Sequence, residues 1–338
     1  MSEKRLLDCT LRDGGYVNGW RFGKNNITGI FDHLVEAGLE FVEVGFLDER
    51  VDFDRDRSIM PDTESVEKIL GSHHRRGSRV LAMIDYGTCG LSRIQPRGES
   101  FLDGIRVIFK KHLREPALEF CGELKSKGYM VFAQLVSVTS YSDEEMADLI
   151  RLANQVKPYA ISVVDTYGLL HQNNLSHYID LLDQGLDPEI TIGYHGHNNF
   201  QMGYANGISV LGRDSARDLH VDGSLYGMGK SAGNAPTELL AMYMADRYGR
   251  GYDISQLLEA IENSVMGFYR KPPWGYSMYY FLAAYNGCHP NYVQYYMDKK
   301  RLSVKAINQI LGSLEGEKKL LYDEDYADQQ YRGFRYED

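Results

Sequence analysis

At 338 residues the chain can bury one large core or two ordinary ones, and its balance of 43 % hydrophobic to 25 % charged residues excludes gross disorder. A net charge of −10 disfavours nucleic acid and anionic membrane as partners and makes a small molecule the expected one. No apolar run approaches the roughly 18 residues of a membrane span, no basic-then-apolar leader opens the chain, and Cys9, Cys89, Cys121 and Cys288 form no CxxC, so a reduced, cytoplasmic protein is expected.

Taken in chain order, short β-branched or apolar runs alternate with longer amphipathic ones over the first two-thirds of the sequence. The runs are "RLLDCTL", "EFVEVGF", "RVLAMID", "GIRVIFK", "YMVFAQLV", "AISVVD", "ITIGYHGH" and "DLHVDGSL", beginning near residues 5, 40, 79, 104, 129, 160, 190 and 219. Their mean step is about 30 residues, the size of one βα unit. Between them "NITGIFDHLVEAG" and "DEEMADLIRLANQV" carry helical periodicity. Eight such units predict an α/β fold, a (β/α)8 TIM barrel over residues 1–265; barrels of this kind typically run to about 250 residues. The alternative is an open doubly wound sheet, whose GxGxxG fingerprint is missing after the first strand, where "DGGY" stands. Past the barrel, "RKPPWGYSMYYFLAAYNGCHPNYVQYYMDKK" starts with a proline break and continues as an aromatic helical segment. "SVKAINQILGSL" adds an amphipathic helix, giving a helical extension over 266–315. Residues 316–338, ending "YDEDYADQQYRGFRYED", read as an acidic mobile tail or a partner-docking strip.

Catalytic groups of a barrel sit at the C-terminal ends of its strands. Here the first strand ends in Arg12-Asp13, the second carries Glu43, the sixth ends in Asp165 and the seventh ends in "HGHNN". Alternation along a strand puts His195 and His197 on one face, with the small residues Thr191 and Gly193 before them. Two neutral imidazoles held parallel at a strand end are natural ligands for a divalent ion, and Asp13 is a carboxylate within reach across a narrow barrel. The plainer alternatives are a solvated charge pair at Arg12-Asp13 and two surface histidines. Strict alternation sends Arg12 and Asp13 to opposite faces, so a bend at Gly14-Gly15 has to turn one of them inward. "GMGKS" after the eighth strand resembles the end of a phosphate-binding loop, but GxxxxGK[ST] needs a glycine where Ser224 stands. That loop can still cover a substrate or bind an anion, and Asn234 can offer an amide oxygen to the ion.

"DCTLRDGGY", "HGHNN" and "GMGKSAGNAPTE", in this order, resemble the metal-dependent aldolase and lyase superfamily marked by an early Arg-Asp-Gly, the 3-hydroxy-3-methylglutaryl-CoA lyase-like barrels. "GNAPTE" and the later "GYSMYYFLAAY" are most similar to the 4-hydroxy-2-oxovalerate aldolase branch. The resemblance implies that Asp13, His195 and His197 hold a divalent ion, Mn²⁺ or Mg²⁺ before Co²⁺ or Zn²⁺. It further implies that Arg12 stabilises a developing enolate, that Asn234 reaches the ion, and that Glu43 and Asp165 support the site. For the last two, a structural ion pair and a helix N-cap are equal alternatives. Related aldolases place a histidine three residues after the Asp, as base for the substrate hydroxyl; here Tyr16 occupies that position. A phenol with a reference pKa near 10 is a poor base at neutral pH. Lys110 and Tyr276 are further candidates for that proton or for substrate contact.

The implied activity is cleavage or formation of a C–C bond in a 4-hydroxy-2-oxo acid, through a pyruvate enolate, with a 2-oxo acid and an aldehyde as small-molecule partners. A homo-oligomer and a dehydrogenase partner are expected on the same resemblance. The rival readings are an acyl-CoA condensing enzyme or CoA lyase on the same scaffold, a non-haem iron oxygenase, and a non-catalytic barrel that binds a partner through its Tyr-rich C-terminus.

Overall fold

In the computed structural model, which describes residues 2–269 and 274–335, eight parallel strands follow one another around a closed ring. They are β1 (Lys4–Asp8), β2 (Phe41–Leu47), β3 (Arg79–Asp85), β4 (Gly104–Phe109), β5 (Met130–Leu135), β6 (Ala160–Asp165), β7 (Thr191–Gly196) and β8 (Leu219–Gly223). Each begins within a residue of its expected start. Closure is made by β1, which pairs with β8 from Lys4↔Leu219 to Asp8↔Gly223 and with β2 at Leu7↔Phe41. A two-residue strand, Ile59–Met60, adds to the top of β2. The fold is a TIM barrel with C-terminal helices.

Helices cover the outside where the periodicity expects them. Asp143–Val156 is helical throughout, started by a reciprocal box in which the Ser142 hydroxyl accepts from the Glu145 amide and the Glu145 carboxylate accepts from the Ser142 amide. The unit between β3 and β4 departs from the pattern. It holds only the 3-10 turns Leu91–Arg93 and Arg97–Glu99, because Gly87, Gly90, Pro96 and Gly98 punctuate the stretch that a helix would need.

The interior of the barrel is apolar at its base, where Leu7, Phe41, Leu81, Phe132 and Ala160 cluster. One layer higher it is charged: Glu43, Arg106, Gln134, Ser162, His220 and Asp222 are all buried. The ring fits there because β7 contributes glycine. A Cβ on Gly193 would lie 2.3 Å from the His220 ring and 2.4 Å from the Ser162 hydroxyl.

The C-terminal part forms its own core from Leu282, Tyr292, Tyr296, Ile307, Ile310, Leu311 and Ala327. The expected aromatic and amphipathic helices are present as Met278–Tyr285 and Val304–Gly312; the proline break at 272–273 lies outside the described residues. In place of a mobile tail, Glu324–Gly333 is a helix whose Ala327 is fully buried. Hydrogen bonds fix it: the Tyr296 hydroxyl donates to the Ala327 carbonyl and the Tyr295 hydroxyl to Asp328. Tyr322 and Tyr326 of the tail pack edge-on against Tyr292 of the extension. No helix among the described residues is long and apolar enough to cross a membrane.

Gly193→Ala is expected to lower unfolding stability by about 1–3 kcal/mol, the usual cost of overfilling a packed interior. Chemical denaturation checks this; an unchanged midpoint would mean that the His220 layer has slack.

Candidate active site

The first strand stops at Asp8, earlier than expected, and Thr10–Asp13 is a single helical turn. This removes the conflict over alternation. Gly14 keeps right-handed helical angles, so no bend is needed, and the turn itself carries both Arg12 and Asp13 into the barrel mouth, 5 % and 1 % exposed. A helical turn spaces successive side chains by about 100° rather than the 180° of a strand.

His195 lies on β7 and His197 just past it, both buried. Their rings stand edge to face at 88°, with centroids 5.2 Å apart, and are not parallel as expected. They still converge: Asp13, His195 and His197 each offer a ligand atom, and these atoms all lie within 4.8 Å of one another. Each imidazole is anchored through Nδ1. His195 donates to Asp222 at 3.1 Å and His197 to the Gly233 carbonyl at 3.3 Å, which leaves both Nε2 lone pairs unclaimed. Burial pushes the His197 pKa down to about 3, so the ring is neutral, as a ligand must be. Burial opposes ionisation of Asp13, yet the Arg12 guanidinium, helped by the hydrogen bond from Asn234, holds its carboxyl well below the usual range.

Asn234 lies beside Asp13, its Nδ2 donating to Asp13 Oδ2 at 2.7 Å. Its Oδ1 is buried without a hydrogen-bond partner among the described residues. Two free imidazole nitrogens, a carboxylate and an unused amide oxygen form a donor set that fits a divalent cation. The glycine-rich loop comes close because Gly229 has no side chain: a Cβ there would meet Asp13 Oδ2 at 2.5 Å and Asn234 Nδ2 at 2.3 Å.

Beneath the three residues runs a line of alternating charge. Arg12 bonds Asp13 through Nη1 and Glu43 through Nε, the latter at 2.8 Å. Arg106, completely buried, donates to Glu43 at 3.0 Å, to Gln134 at 2.9 Å and to Asp222. Asp222 then holds His195, and Arg106 keeps its carboxyl ionised against the effect of burial. Glu43 is thus an ion-pair partner joining two arginines.

Above them a cavity of about 180 Å³ opens, lined by Arg12, Asp13, Tyr16, Thr166, Tyr167, His195, His197 and Lys230 together with Met83, Ile108, Gln134, Val136 and Val164. Tyr16 is 44 % exposed, and desolvation at the wall, reinforced by the Asp13 charge, pushes its hydroxyl pKa up to about 12. Asp165 does not line the cavity. Its carboxylate accepts the Leu169 and Leu170 amides at 2.8 and 2.9 Å, clamping the loop after β6, and burial raises its pKa to about 6. Lys110 is exposed and Tyr276 is 65 % exposed; neither lines the cavity.

Sequence reasoning missed Arg106, Asp222 and Lys230. The signal for the first was present, since a charged residue in the middle of "GIRVIFK" falls on the inward phase of its strand. Asp222 in "LHVDG" has the same signature. Lys230 was read only as part of a failed phosphate-loop motif.

Asp222→Asn should weaken divalent-ion affinity by about 10- to 100-fold, the usual effect of losing a carboxylate behind a ligating imidazole. A Mn²⁺ titration followed by electron paramagnetic resonance tests this, with circular dichroism as the control for folding. Wild-type affinity in the variant would deny Asp222 any part in orienting His195.

The HMGL-like family profile matches residues 3–264. An oxaloacetate decarboxylase of Mycobacterium tuberculosis (strain ATCC 25618 / H37Rv) is 26 % identical over 279 residues, 80 % of this chain and 80 % of its own. The 4-hydroxy-2-oxovalerate aldolase 6 of Rhodococcus jostii (strain RHA1) is 27 % identical over 273 residues, 80 % of this chain and 75 % of its own. Among solved structures, hydroxymethylglutaryl-CoA lyase from Pseudomonas aeruginosa superposes with a TM-score of 0.63 at 20 % identity, over 79 % of this chain and 94 % of that one, a likeness of fold. With a profile covering the whole barrel, the chain belongs to the HMGL-like family.

Proposed function

We propose that the chain is a divalent-metal-dependent aldolase that cleaves or forms the C3–C4 bond of a 4-hydroxy-2-oxo acid, with pyruvate as the enolate half. The observation that carries this reading is the convergence of Asp13, His195 and His197 beside Arg12 at the floor of one cavity. Relatives named 4-hydroxy-2-oxovalerate aldolase at about a quarter identity support the same reaction class.

Asp13, His195 and His197 would hold the ion, with Asn234 Oδ1 as a further oxygen donor; these donors admit Mn²⁺, Mg²⁺, Co²⁺ or Zn²⁺, and the resemblance to the family favours Mn²⁺ or Mg²⁺. Such an ion supplies Lewis acidity to the carbonyl of a 2-oxo acid. The protein supplies the rest. Arg12, fixed by Glu43 and Asp13, presents guanidinium N–H groups to the oxygen on which negative charge grows, an effect worth about 3 kcal/mol per well-placed donor. Because its two carboxylate contacts pin the side chain before substrate arrives, little reorganisation is required. The apolar wall of Met83, Ile108, Val136 and Val164 keeps water from the carbanion-like carbon.

Tyr16 takes the place of a histidine base with a different character. With its pKa near 12 the phenol keeps its proton at neutral pH. It therefore acts as a donor, giving its proton to the C4 alkoxide in the addition direction. In cleavage the same step runs backwards: the C4 hydroxyl proton passes to Tyr16 as phenolate while the C3–C4 bond breaks. Because that phenolate is scarce at neutral pH, the residue serves addition better than cleavage.

Protein loaded with Mn²⁺ should release pyruvate from 4-hydroxy-2-oxovalerate, and Asp13→Asn or full chelation should abolish that release. Pyruvate production surviving either treatment would overturn the reading. Arg12→Lys is expected to keep the ion but lose about 10²- to 10³-fold in kcat, since an ammonium cannot reproduce the guanidinium fork. Steady-state kinetics beside metal analysis of the same sample separate the two effects.

A further inference from the structure

Among the described residues, one cation at the cavity stands outside the ion pairs that hold the others. Three carboxylates, Asp13, Glu43 and Asp222, face three cations, Arg12, Arg106 and Lys230. Both arginines are committed to ion pairs within this set. The Lys230 ammonium has no carboxylate within ion-pair distance among the described residues, and only its backbone N–H reaches Asp13. Lys230 is thus the cation of this set that a carboxylate of the substrate can pair with.

The position of Lys230 suits a second anion. Its side chain lines the cavity and is partly buried, with Nζ 5.5 Å from the Tyr16 ring centroid. An ammonium lying against an aromatic face at a cavity wall is confined to that wall. The residues around it restrain the loop. Asn234 Nδ2 and the Lys230 amide both bond Asp13 Oδ2, the Trp274 indole donates to the Tyr226 carbonyl at 2.8 Å, and the Gly275 amide reaches the Ala232 carbonyl. The ammonium therefore sits on a braced loop beside the proposed donor Tyr16, where the aldehyde half of the substrate would lie.

We propose that the substrate is a dicarboxylic 2-oxo acid, and that Lys230 binds the second carboxylate, at the end remote from the 2-oxo group. This rests on the aldolase reading above and names the preferred class of its aldehyde: an oxo acid of the glyoxylate type ahead of a plain alkanal. The cavity volume of about 180 Å³ agrees with a small second carboxylate and leaves little room for a long chain.

The test measures binding, independently of turnover. The full chain loaded with Mn²⁺ is titrated calorimetrically with 2-oxoglutarate and with 2-oxovalerate, which share a five-carbon chain and differ in carrying a carboxylate or a methyl at the far end. Wild type should bind 2-oxoglutarate about tenfold or more tightly, as expected for one charge-assisted contact in a partly desolvated site. Lys230→Gln should bring the two ligands to within about twofold of each other, and Lys230→Arg, which keeps the cation, should retain a preference. Equal affinities in wild type, a preference that survives in Lys230→Gln, or no binding of either ligand would overturn the assignment. Pyruvate release from 4-hydroxy-2-oxovalerate and 4-hydroxy-2-oxoglutarate, assayed in parallel, separates the two ideas. Absence of pyruvate from both, with the binding preference intact, overturns the aldolase reading and leaves the Lys230 contact standing.

Discussion

From Asp13 through Arg12, Glu43 and Arg106 to Asp222, charges of alternating sign run unbroken through the buried interior of the barrel, and Asp222 holds the His195 ring at the end of the line. Removing any one from water is costly, and a buried ion pair regains that cost only when geometry and further hydrogen bonds satisfy both partners. Here the partners satisfy one another in sequence, and Gln134 adds a neutral contact to Arg106. The line has a consequence beyond stability. It ends at one side of the candidate centre on Asp13 and at the other on His195, so the two sides of the donor set are held in register by a single network.

The network also explains why a packed barrel can hold so many polar side chains. The layer below is apolar and aromatic, with Phe41 and Phe132 flanking His220 at 6.1 and 5.5 Å between centroids. Burial pushes the His220 pKa down to about 4, and the neutral ring closes the charged layer from beneath without adding to its charge. Gly193 provides the space for that ring. Charge in the middle of the barrel is thus held in ion pairs, Arg12 and Arg106 against Asp13, Glu43 and Asp222, and the cavity above inherits rigid walls from them. Among the described residues the only ammonium at those walls, Lys230, is carried by a loop and not by a strand.

The C-terminal helices complete the mouth. The Tyr167 hydroxyl, from the loop after β6, donates to the Leu320 carbonyl, and its ring packs edge-on against His289 at 5.4 Å. Trp274 and Gly275 tie the same region to the glycine-rich loop. A barrel alone leaves its top loops to solvent; here the tyrosine-rich extension fastens two of them, and those are the loops that carry Tyr167 and Lys230.

Much was legible in the sequence wherever the information was local. Two-residue and 3.6-residue periodicities place side chains on faces without reference to anything distant, which is why the eight strands, the Asp143–Val156 helix and the inward face of His195 could be read directly. The HxH pair and the early Arg-Asp marked the site for the same reason, although the turn at Thr10–Asp13 and the crossed rings emerge only in the folded chain. What only the tertiary structure decided were meetings between strands far apart in the chain. Arg106 joins Glu43 and Asp222 across separations of 63 and 116 residues, and no local pattern encodes that they share one layer. The same holds for choosing Lys230 over Lys110 and Tyr276 at the cavity, and for Glu324–Gly333, whose polar sequence folds because a tyrosine core elsewhere receives it. Sequence fixes which face a side chain takes; closure of the ring decides what it meets there.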